Sequence, residues 1–163
     1  MSNFVPARNT SPAPTGRRSW ENQFALLFAQ KAPEIKLTGK VVAGSTNQEV
    51  LTSVDQSFEH DGVRYLVEID SGNVAKTLVG QYVLLNELLD RKDRAIQHFF
   101  LVVHTYNKYN PERTLRNLRL VNERLYKGDG IPFGAIHQNA VTNWSGGIAE
   151  FIHMARPTRN LVE

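Results

Sequence analysis

The chain has 163 residues, is 41% hydrophobic and 21% charged, carries a net charge of +3 and contains no cysteine. That length fits one domain with an ordinary core, and the missing thiols exclude a disulfide scaffold, a zinc finger, a thiol nucleophile and iron–sulfur chemistry. No apolar run approaches the ~20 residues of a membrane helix, and Pro and Asn stand where a signal peptide has its apolar centre, so a soluble, cytoplasmic chain is expected.

Charge is unevenly placed. Residues 1–18 hold three arginines and no acid, residues 19–90 hold five basic and ten acidic groups, and residues 91–127 hold nine basic and three acidic groups. An acidic half beside a basic half suits an enzyme that needs carboxylates for cations and Lys/Arg for a polyanion. A solvated, unevenly charged surface has the same arithmetic.

Residues 1–18, rich in Pro, Ser, Thr, Asn and Arg, read as a flexible basic arm ahead of a single domain over 19–163. A helix is expected over 20–31, with Ser19 as its N-cap and Pro33 stopping it. Glu21, Phe24, Ala25 and Phe28 fall on one stripe of that helix, headed by the acid. A strand is expected near 39–43.

Residues 49–73 (EVLTSVDQSFEHDGVRYLVEIDSGN) are the informative segment. Asp61-Gly62 between two alternating runs signals a type I′ hairpin in which His60 pairs with Val63. That register sets Asp55 opposite Glu68, and alternation puts Asp70 on the face of Glu68. Three carboxylates then share one patch, while Val54, Val67 and Ile69 supply the core from the other face.

A second helix is expected over 74–90, with Leu78, Val79, Tyr82, Leu85 and Leu89 on its apolar face. Residues 98–104 (HFFLVVH) read as a strand buried on both sides. Asn110 and Pro111 open a third helix over 111–127, ended by Gly128 and Gly130. A strand over 131–138 and a last helix from Gly146/Gly147 to Ala155 follow. The order α-β-β-β-α-β-α-β describes an α/β fold with a mixed central sheet flanked by helices.

Three opposed carboxylates with Glu21 nearby repel one another unless a cation joins them. Oxygen ligands without Cys or clustered His suit Mg²⁺ or Mn²⁺, which promote phosphodiester hydrolysis. A polar strand face carrying Asp-x(12)-Glu-x-Asp as solvated surface is the alternative.

Glu21 on the first helix, Asp55 ending one strand and Glu68-Ile69-Asp70 on the next resemble the PD-(D/E)XK nuclease superfamily, in particular its restriction-endonuclease-like and very-short-patch-repair-like members. The resemblance spans residues 19–104, and extends to 138 by element order. It implies a restriction-endonuclease-like core and a metal-dependent endonuclease acting on DNA. Carried over by position, Asp55 and Glu68 would ligate the metal, and Glu21 would support the metal or water. Val54 stands where the family often has Pro, and Asp70 where it has Lys. Some members carry an acid there and others move the Lys to the following helix, so Asp70 or Lys76 would orient the attacking water. Such domains cut as homodimers or beside a recognition partner subunit.

Arg113, Arg116, Arg119 and Arg124 on the third helix are candidates for meeting phosphates, or are a solvated basic face. Gln81 reads first as an exposed helical glutamine and second as a contact to the site. The five histidines show no metal spacing, and His104 reads as a satisfied structural histidine at a strand end. Two further readings stand beside the DNA endonuclease: a non-catalytic nucleic-acid-binding or assembly module on a degenerated nuclease fold, and an RNA endonuclease of the same fold.

Overall fold

A computed structural model describes residues 17–45, 47, 49–89 and 96–156. The elements are α1 (Arg17–Lys31), β1 (Val41–Gly44), β2 (Leu51–Val54), β3 (Gln56–His60), β4 (Val63–Asp70), α2 (Ala75–Leu88), β5 (Gln97–His104), α3 (Glu112–Tyr126), β6 (Phe133–His137), α4 (Gln138–Asn143) and α5 (Ile148–Ala155). Residues 1–16 of the expected arm, and Asp90 at the end of the expected second helix, lie outside the described residues.

The hairpin register is the one expected. β3 and β4 pair antiparallel from Gln56↔Val67 to His60↔Val63. Asp61 and Gly62 have φ of 49° and 73°, the left-handed backbone that a two-residue type I′ turn requires. β4 then pairs parallel with β5 over eight residues, and β5 parallel with β6. The result is a mixed sheet in the order β3-β4-β5-β6.

The sheet separates two apolar layers. Phe24 and Phe28 of α1, with Val141 of α4 and Phe151 of α5, pack on Tyr65, Val67 and Ile69 of β4. Leu78, Tyr82 and Leu85 of α2, with Leu115 and Leu118 of α3, pack on Leu66, Phe100 and Val102. Burying each such side chain contributes roughly 1.5–3 kcal/mol. The connections β4-α2-β5 and β5-α3-β6 thus lay both crossover helices on one face, as parallel strands require. The fold is α/β, with a mixed sheet flanked by helices.

Three expectations are corrected. The strand leading into the hairpin is broken at Asp55: β2 pairs with β1 in a separate two-stranded sheet, and only β3 joins β4. Val54 consequently packs with Leu66 and Leu78 on the α2 side, not with Val67 and Ile69. Finally, α1 begins at Arg17, so Ser19 lies inside the helix instead of capping it.

Other ends shift by a residue or two. α3 starts at Glu112 with Pro111 in the cap position, and Asn110 Oδ1, one residue further out, accepts the Glu112 N–H at 3.0 Å. The short α4 was not expected at all.

Candidate functional site

The Asp55 bend sits where the β3–β4 ladder stops, one residue before Gln56↔Val67. Its carboxylate does not form a cross-strand pair. Instead, Oδ2 accepts the backbone N–H of Ile69 at 2.9 Å, a donor lying between Glu68 and Asp70. Leaving the ladder frees Asp55 to replace a strand partner with its side chain.

Glu68 is 7% exposed and faces α2. Gln81 Nε2 donates to Glu68 Oε2 at 2.9 Å and to the Ser53 carbonyl at 2.7 Å. Gln81 is therefore half-buried and holds the carboxylate: its first reading, an exposed helical side chain, is corrected, and the second, a contact to the site, is the one observed. One amide ties α2, β2 and β4 together at the site.

Asp70, at the end of β4, has both oxygens engaged. Oδ1 accepts the Gly72 N–H at 3.2 Å, and Oδ2 lies 3.2 Å from His104 Nδ1. The register pair Asp70↔His104 in the parallel β4–β5 ladder brings the two together. His104 is fully buried, its Nε2 is 2.9 Å from Thr114 Oγ1, and Tyr109 stacks on its ring at 3.9 Å. The satisfied structural histidine is as expected; its link to a candidate catalytic carboxylate was missed.

Glu21 is half-buried on α1, whose Phe24 and Phe28 pack against the odd-numbered side chains of β4. Glu68 belongs to the α2 side, so Glu21 and Glu68 start from opposite faces of the sheet. Lys76 is exposed in the first turn of α2. Arg113, Arg116, Arg119 and Arg124 are all exposed on α3. Arg113 donates to Asn73 Oδ1 at 3.0 Å and lies over the Tyr109 ring, while Arg116 and Arg119 approach Glu112 at 3.5 and 3.9 Å.

Among the described residues, no three Asp, Glu or His side chains form a ready group for a metal ion. The expected convergence of three carboxylates is therefore looser than the hairpin pattern implied, because Asp70 turns to His104. Asp55 and Glu68 still fit a hard cation. Each has an oxygen in an orienting hydrogen bond, the outer support that ligating carboxylates use. Mg²⁺ commonly takes one or two carboxylates and fills its shell with water and substrate phosphate.

No helix among the described residues is long and apolar enough to cross a membrane. No protein-family model matches the chain, and no curated protein matches it. Among solved structures, the crystal structure of a protein of unknown function, AF1548, aligns with 12% identity and a TM-score of 0.39. The alignment covers 82% of this chain, which spans 64% of that protein.

Proposed function

We propose that the chain is a metal-dependent endonuclease that hydrolyses DNA phosphodiester bonds on a restriction-endonuclease-like core. The observation that supports it most is that two carboxylates at the open end of the hairpin are each anchored by a hydrogen bond: Asp55 by the Ile69 N–H and Glu68 by Gln81. In this reading Asp55 and Glu68 hold Mg²⁺ or Mn²⁺, and Glu21 supports the site from α1. The cation, when bound, neutralises phosphate charge and stabilises the leaving oxygen. Asp70 or Lys76 orients the attacking water, whose oxygen bonds to phosphorus as the bond to the leaving oxygen breaks. The arginines of α3 meet backbone phosphates, and a homodimer or a recognition partner subunit supplies the second strand's site or the specificity. The protein then works as an intracellular, nucleic-acid-associated enzyme.

A non-catalytic nucleic-acid-binding or assembly module is the second reading. It is favoured by Asp70, which stands in the family's Lys position and is engaged by Gly72 and His104.

Supercoiled plasmid incubated with Mn²⁺ or with EDTA separates the two, beside an Asp55→Ala, Glu68→Ala double variant. Metal-dependent nicking or linearisation lost in the double variant is the expected result. Equal inactivity of both proteins on plasmid, branched and single-stranded DNA would overturn it in favour of the binding module. Cutting of RNA alone would move the same site to an RNA endonuclease.

A further inference from the structure

Asp70 is backed by a chain of buried polar groups that its surroundings do not otherwise require. His104 Nδ1 lies 3.2 Å from Asp70 Oδ2, His104 Nε2 lies 2.9 Å from Thr114 Oγ1, and Thr114 Oγ1 lies 3.0 Å from the Tyr109 hydroxyl. His104 and Thr114 are fully buried and Tyr109 is 5% exposed, whereas the Asp70 side chain is 21% exposed. The chain thus runs from the interior to a carboxylate that reaches solvent.

Its direction follows from the donor inventory. A carboxylate only accepts, so Nδ1 must carry the hydrogen that bonds Asp70. In a neutral ring Nε2 is then a lone pair and must accept from the Thr114 hydroxyl. The Thr114 oxygen is left to accept from Tyr109. Every member is satisfied with one orientation, and the ring is held in plane by Tyr109 stacked at 3.9 Å. Buried polar networks satisfied in this way fix geometry.

We infer that His104 is a positioning residue for Asp70: the carboxylate selects the neutral Nδ1–H tautomer, and Thr114 and Tyr109 hold the ring at Nε2 and across its face, which aims the Asp70 carboxylate at the attacking water. The catalytic part of this inference rests on the nuclease reading above; the tautomer does not. Asp70 replaces an ammonium that carries its own donors, and a short carboxylate in that place needs an external group to set its direction. Gly72 holds one oxygen and His104 the other.

Long-range ¹H–¹⁵N spectra of the full chain at neutral pH read the tautomer directly. The Nδ1–H form is expected, and Asp70→Ala, which removes the acceptor at Nδ1, should populate the other tautomer. A doubly protonated ring, an Nε2–H form in the wild type, or spectra unchanged by Asp70→Ala would overturn the inference.

Mn²⁺-dependent plasmid cutting supplies the second readout. Thr114→Val should lower kcat roughly 10-fold or more with KM unchanged, and Thr114→Ser, which restores the hydroxyl, should recover it. His104→Asn keeps a donor at the Nδ1 position and should retain more turnover than His104→Gln. Equal losses in Thr114→Val and Thr114→Ser would overturn the positioning role. No cutting by the wild-type protein overturns the nuclease reading instead, and the tautomer then still decides whether the chain holds Asp70.

Discussion

The side-chain amide of Gln81 donates to Glu68 Oε2 at 2.9 Å from a helix separated by only four residues from the strand bearing Glu68. The second hydrogen of the same Nε2 group can satisfy the Ser53 carbonyl at 2.7 Å, so one rotamer serves both acceptors. Gln81→Leu therefore removes an orienting bond from a proposed metal ligand without touching the ligand itself. Metal-dependent cutting should fall about 10–100-fold, with a higher Mg²⁺ requirement. Activity measured against Mg²⁺ concentration decides it; an unchanged midpoint would show that Gln81 does not orient Glu68.

In the proposed nuclease site, Lys76 and Asp70 are the two candidates for orienting the attacking water. Five residues separate Lys76 from Gln81, which places them about 140° apart around α2. Lys76 is exposed, whereas Asp70 ends the strand that carries Glu68. Lys76→Ala should therefore keep turnover within about threefold of wild type, and Asp70→Asn should lose about 100-fold. An inactive Lys76→Ala beside an active Asp70→Asn reverses the assignment.

Arg113, Arg116 and Arg124 of α3 occupy the face opposite Leu115 and Leu118, which are buried against the sheet, and Arg119 lies at its edge. If that face meets phosphates, replacing Arg116 or Arg119 by Gln should flatten the dependence of DNA affinity on salt by about one unit of log–log slope each. Titrations in EDTA at several salt concentrations, scored against wild type, test this. Parallel salt curves for all three proteins remove α3 from the interface.

Glu150 lies in the first turn of α5 and accepts the Ser145 hydroxyl, with the Ser145 N–H at 3.5 Å from its other oxygen. The Ser145 hydroxyl is the main cause that holds its pKa below the usual glutamate value; backbone donation from Ser145 and Gly146 and the charge of Lys31 act in the same direction, and slight desolvation acts against them. A folded pKa below the unfolded one means stability present above the ordinary glutamate range and lost as pH falls through the folded value. Ser145→Ala should move the carboxyl titration, followed by ¹³C NMR, up toward the ordinary value and flatten the acid limb of the stability curve. A titration identical in both proteins would count against this account.

Lys31 closes the far end of α1 onto the next layer. Its ammonium donates to the carbonyls of Val141, Thr142 and Trp144 at 3.3, 2.7 and 2.6 Å, around the C-terminus of α4, where unpaired carbonyls and the helix dipole favour a cation. Lys31→Met keeps the aliphatic stem and removes the donors. Urea unfolding should show a loss of about 1–3 kcal/mol, while a change below 0.5 kcal/mol, roughly the surface background, would mean that water replaces the ammonium without cost.

The hairpin was legible because its determinants are local. Asp61 and Gly62 accept positive φ, and the turn then sets each β3–β4 partner by counting. The break at Asp55 was not, since the bend depends on β1 pairing with β2, although Gln56 already interrupts the apolar alternation between Val54 and Phe58. His104 reads as a strand-end histidine in sequence, but its partner Asp70 lies 34 residues away and is chosen by parallel register. Gln81 was misjudged for a related reason: its acceptors come from two strands, β4 just before α2 and the more distant β2. The six residues of α4 are too few to display a helical period.

The parallel register between β4 and β5 also bears on how the molecule assembles. A two-residue turn lets β3 and β4 meet at small loop-closure cost, on the microsecond scale of hairpins. Pairing β4 with β5 must wait for the intervening α2 segment to close a long loop, and such non-local pairings form late. Asp55 can thus find the Ile69 N–H early, while Asp70 gains His104 only when β5 docks. The carboxylates of one small patch would then acquire their partners in separate steps, Asp70 only after β5 has docked.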